Sequence, residues 1–89
     1  MDNSEDYWNK KTPYDLRSMI SGGSSETKRA IDELVKRPDV NTGYLIDAIV
    51  DTPCYNKKIV VDAVISAKQS ELDIKDILDI IDHLLTCIR

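Results

Sequence analysis

Phenylalanine is absent from this 89-residue chain, tryptophan and histidine occur once each, and there are only three glycines and two cysteines. Without Phe, a core has to be filled from Ile, Leu, Val and Ala. A 42% hydrophobic composition allows that for one modest domain and leaves nothing for a second. A domain of this size buries only about 60–65% of the surface of its unfolded chain, so it is marginally stable unless another subunit or partner helps. No apolar run approaches the ~20 residues of a membrane helix, because Asp or Lys interrupts every hydrophobic cluster. Positive charge is also short: 12 Lys and Arg stand against 16 Asp and Glu, a net charge of −4. The pairs Lys10-Lys11, Lys28-Arg29, Lys36-Arg37 and Lys57-Lys58 are scattered among acids. Direct binding to nucleic acid or an anionic membrane is therefore not expected.

The opening residues Met1 to Asp6 carry three acids and precede no hydrophobic segment, unlike a secretory leader, and no Asn-x-Ser/Thr acceptor is present. A cytoplasmic location follows as the expectation. Cys54 and Cys87 lack CxxC spacing, and small secreted scaffolds usually carry more cysteines, so two buried or half-buried thiols are expected rather than a bridge.

Residues 1–12 read as a flexible polar arm, whose only concentrated apolar surface is the pair Tyr7-Trp8. Residues 13–89 read as one helical domain. Thr12-Pro13-Tyr14-Asp15 predicts a helix start, with Thr12 as cap, Pro13 in the first position and Asp15 returning to the cap. That helix runs over about 13–20 and ends at Ser21-Gly22-Gly23-Ser24-Ser25, where glycine suits the C-terminal turn and serine caps the next helix. A second helix is expected over about 25–37, with Ala30, Ile31, Leu34 and Val35 on one stripe, stopped by Pro38. Asn41 caps a third over about 42–51, and Thr52-Pro53 separates it from a fourth over about 56–68. Both are apolar around most of their circumference, as central helices are. The last helix starts at Asp73. It gathers Ile74, Ile77, Leu78, Ile80, Ile81, Leu84, Leu85, Cys87 and Ile88 on one half of its surface. Lys75, Asp76, Asp79, Asp82, His83 and Thr86 take the other half.

The fold class is thus all-α, a compact bundle of four to five short helices. A form of two apolar residues, Asp, any residue and two apolar residues recurs around Asp32, Asp47, Asp62 and Asp82. The turn Lys36-Arg37-Pro38-Asp39-Val40 resembles the inter-helix turn of HEAT-like repeats, although the spacing is shorter than a HEAT helix pair. Stacked repeats are therefore the second architecture.

Chemistry is sparse. Asp47, Asp51 and Asp62 lie on polar strips between apolar residues, but no His or nucleophile accompanies them, so a solvated or Lys-paired strip is expected and no enzyme. His83, beside Asp79 and Asp82, lacks the ligand set of a zinc site and reads as an exposed histidine. Asp39-Val40-Asn41-Thr42-Gly43 opens like a calcium loop, but glycine comes one place early and Val50 stands where the closing Glu belongs. No metal or cofactor is expected.

What remains points to binding. Tyr7 and Trp8 either fold back on the domain or dock on a partner, since Trp is a frequent interface anchor. Asp76, Asp79 and Asp82, with His83, form an acidic face able to meet a basic partner. Ile74, Ile77, Ile81, Leu84 and Ile88 keep a/d heptad spacing, which suits a homodimer. The leading expectation is a small acidic interaction module, adaptor or inhibitor, acting on another protein. An alternative is a homo-oligomer binding a small anion through Ser24, Ser25, Lys28 and Arg29, at the start of a helix. A structural or assembly component is a further alternative.

Overall fold

Pro13, Asn41 and Asp73 each start a helix where the sequence predicts one, and the caps form as expected. A computed structural model describes residues 4–88 of the chain, and side chains over 6–87. Among these residues the order is α1 (Ser4–Lys10), α2 (Pro13–Ser21), α3 (Thr27–Leu34), α4 (Thr42–Asp51), α5 (Cys54–Lys68) and α6 (Ile74–Ile88), with no strand. The Thr12 hydroxyl accepts from the Asp15 amide at 3.1 Å, and Asp15 accepts from the Thr12 amide at 3.2 Å, which closes the α2 capping box. Asn41 accepts from the Tyr44 amide at 2.8 Å to start α4. Asp73 and Asp76 repeat the reciprocal arrangement at the start of α6, at 2.8 and 3.3 Å.

The helices lie in two rows. In one, α1 packs on α3 and α3 on α5; in the other, α2 packs on α4 and α4 on α6. The rows meet where α2 lies on α3, and where α5 lies on α4 and α6. Leu16 and Ile20 from α2, Ala30, Ile31 and Leu34 from α3, Leu45 and Ile49 from α4, and Val60 and Val64 from α5 are fully buried between them. Ile80 is the one fully buried side chain that the described part of α6 adds. The molecule measures 43 × 27 × 18 Å. Helix lengths of 7, 9, 8, 10, 15 and 15 residues define no constant unit. The recurring Asp pattern thus marks where each helix turns a polar edge outward. The all-α bundle is the fold, and no repeat is defined.

Two sequence expectations need correction. The segment read as a flexible arm contains α1, and Trp8 is only 5% exposed, inside the main core. A seven-residue helix is too short to persist alone. Here Trp8 supplies the apolar surface that holds it on α3, and the Trp8 carbonyl accepts from the Arg37 guanidinium at 2.8 Å. The Arg29 guanidinium stands 5.4 Å over the indole ring, a cation–π arrangement that covers its outer face.

The second correction concerns the thiols. Cys54 and Cys87 form a disulfide with Cα atoms 5.5 Å apart, and neither is free. Linear spacing hides this pair because the antiparallel run of α5 and α6 brings the start of one beside the end of the other.

Candidate functional site

The widest unpartnered apolar surface lies on α6. At 100° per residue, Ile74, Leu78, Ile81 and Leu85 follow each other along one line of the helix, with Ile77 beside it. Ile74 is 76% exposed, Leu78 59% and Leu85 56%, while Ile77 and Ile81 are also exposed. Ile80 and the half-buried Leu84 occupy the neighbouring sector and turn to the core. The helix therefore divides its apolar half in two: one part packs on α4 and α5, and the other faces outward. Exposed large apolar side chains elsewhere, Tyr7, Tyr14, Val50, Tyr55 and Ile59, are spread over α1, α2, α4 and α5 and make no comparable line.

This corrects the seam expected from heptad spacing. Ile74, Ile77 and Ile81 are outward, whereas Leu84 packs against the core. Leu78 and Leu85 complete the outward line in its place. The Ile88 side chain lies outside the described ones. The signal for Leu78 and Leu85 was present in their spacing from Ile74 and Ile81. What the sequence lacked was the direction from which α4 and α5 approach, which decides the half that is buried.

Asp79 and Asp82 are exposed on the polar flank of the line, together with Lys75. Asp76 is half-buried and spends a carboxylate oxygen on the Asp73 amide, so it belongs to the helix start as well as to the acidic face. His83 is half-buried rather than exposed. Tyr7 remains half exposed, edge-on to Trp8 at 5.4 Å and under the Lys11 ammonium at 4.4 Å. Trp8 itself has folded back and offers no surface to a partner. The acidic face of α6 and the α1 aromatics are thus separate places, since α1 packs on α3 and α6 on α4 and α5.

The residues considered for an anion are engaged locally. Ser24 accepts from the Glu26 amide at 3.0 Å, Lys28 holds Asp32 at 2.6 Å, and Arg29 lies over Trp8. Ser25 is exposed beside them. The start of α3 at Thr27 leaves the serines in the connecting turn rather than in the helix cap. The acids on the polar strips do not converge. Asp51 pairs with Arg17, whose guanidinium that hydrogen bond holds above its ordinary pKa. Asp62 pairs with Lys58 at 3.0 Å, and Asp47 is exposed. Among the described residues no three His, Cys, Asp or Glu side chains are grouped to hold a metal, and no helix is long and apolar enough to cross a membrane.

One buried charge was not anticipated. Lys57 is enclosed, and its ammonium donates to the carbonyls of Ile49 at 2.7 Å and Val50 at 3.2 Å. Burial pushes its pKa below the ordinary lysine value, and nearby Asp51 opposes that in part. These carbonyls are at the end of α4, where helices leave acceptors without partners and carry partial negative charge. Thr52 serves the same end by donating its hydroxyl to the Ala48 carbonyl at 2.6 Å. Lys57 thus joins α4 to α5 and is a structural charge.

No family model, curated protein or solved structure matches this chain.

Proposed function

We propose that this chain is a non-catalytic protein–protein interaction module, an adaptor or inhibitor that works by docking the outer face of α6 on another protein surface. The observation that supports it is the line of Ile74, Leu78, Ile81 and Leu85, exposed on the 15-residue helix α6 and bordered by Asp79 and Asp82. An apolar line with a charged border is the usual make-up of a helix that docks, where burial supplies affinity and the charges supply register and selectivity. The scattered carboxylates, with Asp51 and Asp62 each spent on a basic side chain and Asp47 exposed apart from them, support a non-catalytic reading. For location, the Cys54–Cys87 bridge supports action where disulfides persist, in place of the cytoplasm expected from the sequence.

The test is affinity capture with the parent chain and with Leu78→Asp, each checked for an unchanged helical spectrum. Leu78 is exposed, so the substitution leaves the core intact. The expected result is a stoichiometric protein, a second copy of the chain included, held by the parent and lost by the variant. Equal retention by both would remove α6 from the contact. Trp8→Ala is unsuitable as a control, because it disturbs the core.

A further inference from the structure

We propose that the outer face of α6 is occupied by a second copy of this chain, docked antiparallel about a two-fold axis between Asp79 and Ile80. The inference rests on the interaction-module reading and names its first partner. The fold itself supports a copy in this place. Each helix of the row α2–α4–α6 packs on the next, and the row ends at α6, which keeps an exposed apolar line beside the sector that packs on α4 and α5. The other end of the row does not complement it, since α2 exposes Tyr14, Asp15, Ser18 and Ser21, a mainly polar set. A head-to-tail chain of copies is thereby disfavoured, and α6 against α6 is the arrangement that closes.

Register follows from the same residues. With the axis between positions 79 and 80, Ile74 meets Leu85 of the second copy and Leu78 meets its Ile81, so all four members of the line are used. Lys75 and Asp82 are seven residues apart and project from the same flank, about a quarter turn from the line. In antiparallel helices equal flanks face each other, so Lys75 of one copy lies opposite Asp82 of the other. The offset along the axis is only about 3 Å, which a lysine stem spans. Two-fold symmetry makes the pair twice. A parallel arrangement would instead set this charged flank against the side holding Ile80 and Leu84, which already packs on its own domain.

The area is adequate for a modest dimer. The five exposed apolar side chains amount to roughly 400–500 Å² per copy, near the upper range of patches on monomers. Both copies together reach roughly 800–1,000 Å². With the Lys75 and Asp82 flanks added, this approaches the low end of specific interfaces, about 1,200 Å².

Sedimentation equilibrium of the full chain, over micromolar to millimolar concentrations, tests the proposal. The parent is expected as a reversible dimer and Leu78→Asp as a folded monomer. Lys75→Asp and Asp82→Lys alone each weaken the dimer by about three- to tenfold, and the double exchange Lys75→Asp/Asp82→Lys restores it. A parent that stays monomeric, or a dimer indifferent to Leu78→Asp, overturns the proposal. A dimer that Leu78→Asp abolishes but the double exchange fails to restore overturns the antiparallel register. If the parent is monomeric yet captures a different protein that Leu78→Asp loses, self-docking fails while the interaction-module reading holds; if it captures nothing, both fail.

Discussion

Replacing both bridged cysteines with serine removes a cross-link that spans 33 residues of sequence separation and ties the first turn of α5 to the last turn of α6. Chain-entropy reasoning for a loop of that length gives about 3.7 kcal/mol of stabilisation, by restriction of the unfolded chain. A domain of 89 residues has only roughly 4–13 kcal/mol in total, so the bridge accounts for a large share. Its effect is concentrated on α6. The described part of that helix buries just one side chain fully, Ile80, with Leu84 of the helix and Leu72 just ahead of it packed partly against the core. With a urea slope of about 1–1.5 kcal/mol per molar, the midpoint of Cys54→Ser/Cys87→Ser falls by about 2.5–3.7 M relative to the oxidised parent. The slope also rises, because the unfolded chain is less restricted. Amide hydrogen exchange should quicken first in α6, while α2–α4 keep most of their protection. Urea titration of the oxidised parent, reduced parent and double variant is the assay, with intact mass confirming the oxidation state. Reduced parent and variant should coincide. Superimposable curves for all three would mean that the bridge neither restricts the unfolded chain nor anchors α6.

Trp8→Ala should cost about 3–5 kcal/mol, as expected for emptying a buried aromatic site, and unfold α1 with it; circular dichroism and urea titration check this, and a loss below about 1 kcal/mol would place the indole outside the core. Gly23→Ala should cost about 1–2 kcal/mol or more, because Gly23 has φ +71° and a Cβ there would meet the Tyr55 hydroxyl and come within 3.2 Å of Pro53 Cγ; thermal unfolding reads it directly. Lys57→Met should cost about 1–2 kcal/mol near neutral pH through loss of the charge-assisted bonds to Ile49 and Val50. Since burial lowers the Lys57 pKa, the unfolded chain holds that proton to higher pH than the folded one. The parent therefore gains stability from this group as pH rises from the lowered folded value toward the ordinary lysine value, and lacks that gain below it. Parallel urea titrations across alkaline pH should show a smaller rise in Lys57→Met, and equal slopes would contradict the assignment.

Local chemistry was the part of the fold most open to reading. Thr12, Asn41 and Asp73 start helices because a side-chain oxygen beside a free amide is decided within three residues, and Pro53 follows the end of α4 for an equally local reason; α3 instead ends at Leu34, four residues before the stop expected at Pro38. The apolar stripes of α3 to α5 also predicted most of the residues they bury, although Val50 and Ile59 face outward. Long-range pairing was less visible. Cys54 and Cys87 are brought together by the turn between α5 and α6, and Trp8 finds its place only because α3 presents a surface to a short, individually unstable helix. Lys57 reads as half of a basic pair until the end of α4 supplies carbonyls for it. The candidate site was legible in part. Its helix and the membership of Ile74, Ile77 and Ile81 came from periodicity. Exchanging Leu84 for Leu78 and Leu85 required knowing which side α4 and α5 cover.

Docking through the outer face of α6 is read most directly from a series of backbone amide NMR spectra of the parent chain, recorded from micromolar to millimolar concentration. If α6 docks on α6, concentration-dependent shifts are grouped on α6 at Ile74, Lys75, Leu78, Ile81, Asp82 and Leu85, with α2 and α3 unmoved. Spectra that do not change with concentration, or shifts grouped on α1 and α3 instead, would contradict that docking.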